Sequence, residues 1–203
     1  ALKKKYYLII ENINDLNLKN IKLKDKFIII YRNNSKIKNI GKLRKFKIKC
    51  KNKRIDFYVA NDFKLASTLK ADGLYISAYN KNLNIKKLNF AGFKLIGSAH
   101  NIKDLNIKIL QGCSNFIFSR LFETSYKFKK GYLGVVKFNL FKLKIKVNLI
   151  PLGGIRLSNL NMLNLVKQTE VSALSASSIY HFTKKTKLDI KKIFIKNKIP
   201  VRI

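Results

Sequence analysis

Short apolar runs alternate with amphipathic segments along the whole chain, and this alternation restricts the fold more than any other feature. The apolar runs are KKKYYLII, KDKFIIIYR, IDFYVA, DGLYIS, GFKLIGS, NFIFS, VNLIPLGG and EVSALSA. Several are apolar at consecutive positions, which predicts strands covered on both faces. The segments between them carry helical spacing. SKIKNIGKLRKF places Ile37, Ile40 and Leu43 three apart, and DFKLASTLKA places Phe63, Leu65, Ala66 and Leu69 behind an N-cap residue, Asp62. NIKKLNFA reads as a weaker helix, and NIKDLNIKILQG as one that opens on Asn101 and closes on Gly112. Helices are also predicted near LGVVKFNLFKLK, over SNLNMLNLVKQ and from about Ser178. Strict alternation of strand and helix implies a parallel sheet. Eight such units in 203 residues predict an α/β fold, a compact (β/α)8 TIM barrel forming one domain over residues 1–203. The rival doubly wound sheet lacks the Gly-x-Gly-x-x-Gly turn after the first strand.

Composition matters chiefly through charge. With 44 Lys and Arg against 10 Asp and Glu, the formal net charge is +34. A basic nucleic-acid-binding protein is one reading of that number. However, arginine is confined to Arg32, Arg44, Arg54, Arg120, Arg156 and Arg202, while Lys, Asn and Ile crowd every segment. Those three residues have A/T-rich codons, so coding bias accounts for the lysines, and no nucleic-acid partner is expected. No uncharged apolar run reaches the roughly 18 residues of a membrane span, so no membrane partner is expected either. The apolar stretch in ALKKKYYLII is too short for a signal-peptide core. Cys50 and Cys113 stand far apart without metal-ligand spacing, which predicts reduced thiols and a cytoplasmic protein.

In a barrel of this kind the chemistry sits at the carboxyl ends of the strands. Those positions hold Arg32 after the second strand, Asn61 and Asp62 after the third, and Ser77, Tyr79 and Asn80 after the fourth. Ser98 and His100 follow the fifth, Arg120, Glu123, Thr124 and Lys127 the sixth, Gly153 and Gly154 the seventh, and Ser175 to Ser178 the eighth. Two glycines between a strand and a helix let backbone amides approach a ligand without a Cβ in the way. Small residues opening the last helix leave N–H groups for an anion. Together they predict a phosphate site at Gly153, Gly154, Ser177 and Ser178. The alternative is that the glycines only make a tight turn and the serines only cap.

Five motifs, in order, resemble the thiamine phosphate synthase/TenI superfamily. They are VANDFKLASTLKADG after the third strand, LIGSAHN after the fifth, LFETSYK after the sixth, LGGI after the seventh and SASSIY after the eighth. The resemblance implies a site for thiazole phosphate, with its phosphate on Gly153, Gly154 and the amides near Ser177 and Ser178. It implies a synthase that joins hydroxymethylpyrimidine pyrophosphate to thiazole phosphate with Mg2+. The chain departs from the synthase pattern where the metal and pyrophosphate are handled. Only Arg32 remains of Gln-x-Arg-x-Lys, and Asn80 stands where the second metal aspartate is usual, leaving Asp62 as metal ligand or helix cap. LFETSYK is closer to TenI, which implies as an alternative a metal-independent, cofactor-free thiazole tautomerase. There His100 is the general acid/base, and Thr124 and Lys127 hold the ligand's carboxylate or phosphate. Asn61 and Ser98 belong to the same implied binding site. A third alternative is a paralogue that binds a phosphate ligand without turning it over. Small molecules are the expected partners, and a homodimer is left open.

Overall fold

The structure is a computed structural model that describes residues 6–21, 27–32, 39–90, 92–124, 131–155, 159, 162 and 171–174. Eight strands appear in chain order: β1 (Tyr6–Ile10), β2 (Phe27–Tyr31), β3 (Asp56–Ala60), β4 (Gly73–Ile76), β5 (Lys94–Ala99), β6 (Asn115–Ser119), β7 (Asn148–Leu152) and β8 (Val171–Leu174). Each pairs in parallel with the next, and β8 returns to β1, so the sheet closes. The result is an α/β fold with a parallel, TIM-barrel-like sheet.

Alternation along the strands divides the core in two. Tyr7, Ile9, Ile28, Ile30, Tyr58, Tyr75, Ile96, Ile117 and Ile150 pack into one cluster inside the ring. Their strand neighbours, among them Leu8, Ile29, Phe57, Leu74, Leu95, Phe116 and Leu149, join the larger cluster against the helices. Both faces of β1 to β7 are therefore apolar, which is why these strands read as unbroken hydrophobic runs.

The helices are α1 (Ile40–Asn52), α2 (Phe63–Thr68), α3 (Lys87–Phe90), α4 (Ile102–Leu110) and α5 (Gly134–Lys144). α1 starts later and runs further than the apolar spacing predicts, because the Asn39 side chain caps it at the Lys42 amide, 2.9 Å away. α3 is a single turn continuing a 3-10 segment, Leu83–Lys86. α4 begins at its expected cap, Asn101, and Gly112 follows it with φ +79°.

The eightfold helical repeat expected from the sequence is only partly present among the described residues. Two 3-10 turns, Ile13–Asp15 and Leu18–Asn20, stand between β1 and β2 where a barrel helix would lie. A hollow of about 670 Å³ lies between these turns and α1, with Lys19, Lys42, Lys45, Lys49 and Lys53 on its walls. None of the residues singled out for function lines it. The helices expected over SNLNMLNLVKQ and from Ser178 lie outside the described residues, apart from Asn159 and Met162.

Candidate functional site

The carboxyl ends of β1 to β6 carry a rim of polar side chains, held by one another and by backbone groups. At β1 and β2, Arg32 Nη2 donates to Glu11 Oε1 at 3.2 Å, while Arg32 Nε is a buried donor with no hydrogen-bond partner among the described residues. Arg32 also bears on Tyr75. Burial pushes the Tyr75 hydroxyl above its ordinary pKa, and a hydrogen bond with Ser98 and the charge of Arg32 oppose the shift. Tyr75 and Ser98 are both buried inside the ring. An arginine with a spare donor beside this pair gives the mouth a positive edge suited to an anion.

Asn61 takes the left-handed backbone conformation, φ 57°, which asparagine tolerates better than most residues. Its side chain spans two strand ends. Asn61 Nδ2 donates to Ser77 Oγ at 3.1 Å, and Asn61 Oδ1 accepts from the Ser77 amide at 3.0 Å and from Asn80 Nδ2 at 3.4 Å. The structure thus brings together Asn61, Ser77 and Asn80.

Asp62 is a helix N-cap, its Oδ1 accepting from the Leu65 amide at 2.9 Å. Asn80 Oδ1 accepts from the Asn82 amide at 3.1 Å. Among the described residues no group of three or more His, Cys, Asp or Glu side chains could hold a metal ion. One carboxylate, already capping, and one engaged amide are a poor donor set for Mg2+, which prefers carboxylate and phosphate oxygens.

The β4 loop is held from behind by residues the sequence reading did not single out. Lys108 and Gln111 are fully buried. Lys108 Nζ donates to the Asn80 carbonyl and, at 2.8 Å, to Gln111 Oε1. Gln111 Nε2 donates to the carbonyls of Asn80 at 3.0 Å and Asn82 at 2.9 Å. Burial lowers the pKa of Lys108, with Cys113 and Asp104 opposing the shift and Lys81 adding to it. Nothing distinguishes Lys108 from the many surface lysines in sequence. Only its position on α4, over Gly97 of β5, buries it: a Cβ at Gly97 would lie 2.8 Å from Lys108 Cβ.

His100 is fixed at backbone and ring. Its amide donates to Asp104 Oδ2 at 3.1 Å, within the cap of α4 that also joins Asn101 and Asp104. Its Nδ1 lies 2.7 Å from Ser119 Oγ and 3.4 Å from the Ser119 carbonyl oxygen, and Tyr79 lies against the ring at a centroid distance of 6.3 Å. Ser119, the last residue of β6, is the second partner that sequence reading missed. Its signal was its register: it follows Ile117 by two and so turns to the inside of the ring.

Arg120 lines the loop after β6, its Nη1 donating to Thr124 Oγ1 at 3.3 Å. It also packs on Gly153, where an added Cβ would lie 3.1 Å from Arg120 Cγ. A Cβ at Gly154 would lie 2.2 Å from the Glu123 carbonyl oxygen. Close approach of the β6 loop is therefore one reason for glycine here, alongside the positive φ of both residues, +104° and +66°. Lys127, Ser177 and Ser178 lie outside the described residues, so the far wall of the expected phosphate site does too.

The family profile described as "Thiamine monophosphate synthase" (TMP-TENI) matches residues 7–178. A thiamine-phosphate synthase of Prochlorococcus marinus (strain AS9601) is 27% identical over 115 residues, 56% of this chain and 33% of that protein. The match thus spans a third of the relative's own length. Among solved structures, the chain resembles the thiamine phosphate pyrophosphorylase from Pyrococcus furiosus with a TM-score of 0.75, 13% identity and coverage of 97% of this chain and 98% of that one. It also resembles the thiamine phosphate pyrophosphorylase from Bacteroides thetaiotaomicron, with a TM-score of 0.58, 12% identity and coverage of 97% and 94%. These structural likenesses speak for the fold; the match over residues 7–178, which takes in every described candidate at the strand ends, places this chain in the thiamine monophosphate synthase/TenI family.

Proposed function

We propose that the protein is a complete (β/α)8 barrel that binds thiazole phosphate at the strand ends and acts as a thiamine-phosphate synthase of altered site, joining it to hydroxymethylpyrimidine pyrophosphate. The observation that carries this reading is the buried Arg32 Nε, which has no hydrogen-bond partner among the described residues, beside the Tyr75–Ser98 pair. It is an anion-ready donor at the strand end where the family pattern keeps an arginine. In this reading Gly153, Gly154, Ser177 and Ser178 hold the thiazole phosphate. Arg32 and Lys127 face the pyrophosphate, where charge builds as it leaves. Asn61, Ser98 and Thr124 position the two substrates. The described residues fit Mg2+ poorly, so a metal would be held largely by the pyrophosphate itself.

A second reading is favoured by the cap at Asp62 and the amide at Asn80, which weaken the metal side of the synthase reaction. It is a metal-independent thiazole tautomerase in which His100 moves one proton as general acid/base. One experiment separates the two. Purified protein is given both synthase substrates with Mg2+ or with a chelator, and separately a dihydrothiazole carboxylate phosphate, and the products are resolved by chromatography. Thiamine phosphate formed only with Mg2+ and lost in Arg32→Ala supports the synthase. Metal-independent aromatisation lost in His100→Ala supports the tautomerase. Thermal stabilisation by thiazole phosphate with neither product would leave a binding paralogue and overturn both.

A further inference from the structure

Resting on the reading of His100 as the proton-transfer group, we propose that Ser119 is a positioning residue that selects the tautomer of His100, leaving Nε2 as the unprotonated nitrogen of the neutral ring. The argument begins with what surrounds Nδ1. Ser119 Oγ is 2.7 Å away and the Ser119 carbonyl oxygen 3.4 Å away. A hydroxyl oxygen can either accept from Nδ1–H or donate to a bare Nδ1, but a carbonyl oxygen can only accept. With the proton on Nδ1, both oxygens face it favourably. With the proton on Nε2, the hydroxyl can still donate, yet the carbonyl oxygen then faces the Nδ1 lone pair. The pair of oxygens on one residue therefore favours Nδ1–H.

The ring is also denied easy escape. The Asp104 carboxylate anchors the His100 amide, and Tyr79 lies beside the imidazole. Ser119 itself is buried, so its hydroxyl is shielded from competing water. The functional consequence is direct. A base must present a lone pair, and the nitrogen hydrogen-bonded to the scaffold cannot be the one that does so. Ser119 would make Nε2 of the exposed His100 ring the acceptor for a substrate proton.

The test needs no substrate. The chain has two histidines, His100 and His181, so 15N-histidine labelling gives two imidazoles, and His181→Ala identifies the second. Long-range 1H–15N spectra of the neutral ring report which nitrogen bears the proton. The expected result is His100 predominantly in the Nδ1–H form, in the wild type and also in Ser119→Ala, which loses the hydroxyl that serves either tautomer but keeps the carbonyl oxygen that discriminates between them. A wild-type ring carrying its proton on Nε2 would overturn the proposal, as would a Ser119→Ala ring that turns predominantly to the Nε2–H form, since the carbonyl oxygen would then not be what decides. Because the spectra are taken on the free protein, this outcome stands apart from whether either proposed activity is found.

Discussion

Replacing Gly154 with alanine would put a methyl carbon 2.2 Å from the Glu123 carbonyl oxygen and 2.5 Å from that of Phe122. Comfortable carbon contacts begin near 3.5 Å, so the β6 loop would have to retreat by about 1 Å. That retreat works against two hydrogen bonds joining the loop to β7, Leu121 N to Leu152 O at 2.8 Å and Phe122 N to Gly153 O at 3.0 Å. The φ of +66° adds left-handed strain, about 1 kcal/mol for a residue with a Cβ. Weakening the two bonds adds about 1 kcal/mol each, giving a loss of roughly 2–3 kcal/mol. For a chain of this size that is a fall in Tm of about 4–12 °C. Gly92 is the control: its φ is +79° but an added Cβ would meet nothing within 4 Å. Gly92→Ala should therefore show the backbone strain alone, about 2–4 °C. Calorimetry on the two variants compares them directly. Equal shifts in Tm would show that the contact with the β6 loop costs nothing, and the packing account of Gly154 would fail.

Three further predictions follow from other parts of the site. Asp62→Ala should lower stability by about 1 kcal/mol through loss of the α2 cap, while Asp62→Asn keeps an acceptor and should be nearly neutral; a Mg2+-dependent activity that survives Asp62→Asn would remove this residue as a metal ligand. Burial pushes the Cys50 and Cys113 thiols up from 9.0 to about 12. The folded protein thus keeps protons that the unfolded chain releases, so stability is full below about pH 9 and falls as pH rises toward 12. Urea titrations across that range, under reductant, should show a shallower fall in Cys50→Ala. Lys108→Met removes the ammonium bonds to the Asn80 carbonyl and to Gln111, so hydrogen exchange at the Asn80 and Asn82 amides should quicken about fivefold; exchange unchanged there would mean that Gln111 alone holds the β4 loop.

The amino-acid sequence by itself determined the parallel alternating fold, because consecutive apolar residues in short runs demand cover on both faces. It also determined local caps such as Asp62 and Asn101, whose side chains reach only three residues ahead, and the strand ends where His100, Asn61 and Ser98 lie. What it left undecided is everything that joins residues distant along the chain. Ser119 and His100 meet because β5 and β6 pair with Ser98 beside Ile117. Lys108 looks like any solvated lysine until α4 packs over Gly97, and nothing in the glycine pair announces that the β6 loop packs against Gly154. Sequence patterns report the nearest neighbours along the backbone, whereas these contacts depend on strand register and loop approach, which only the closed sheet sets.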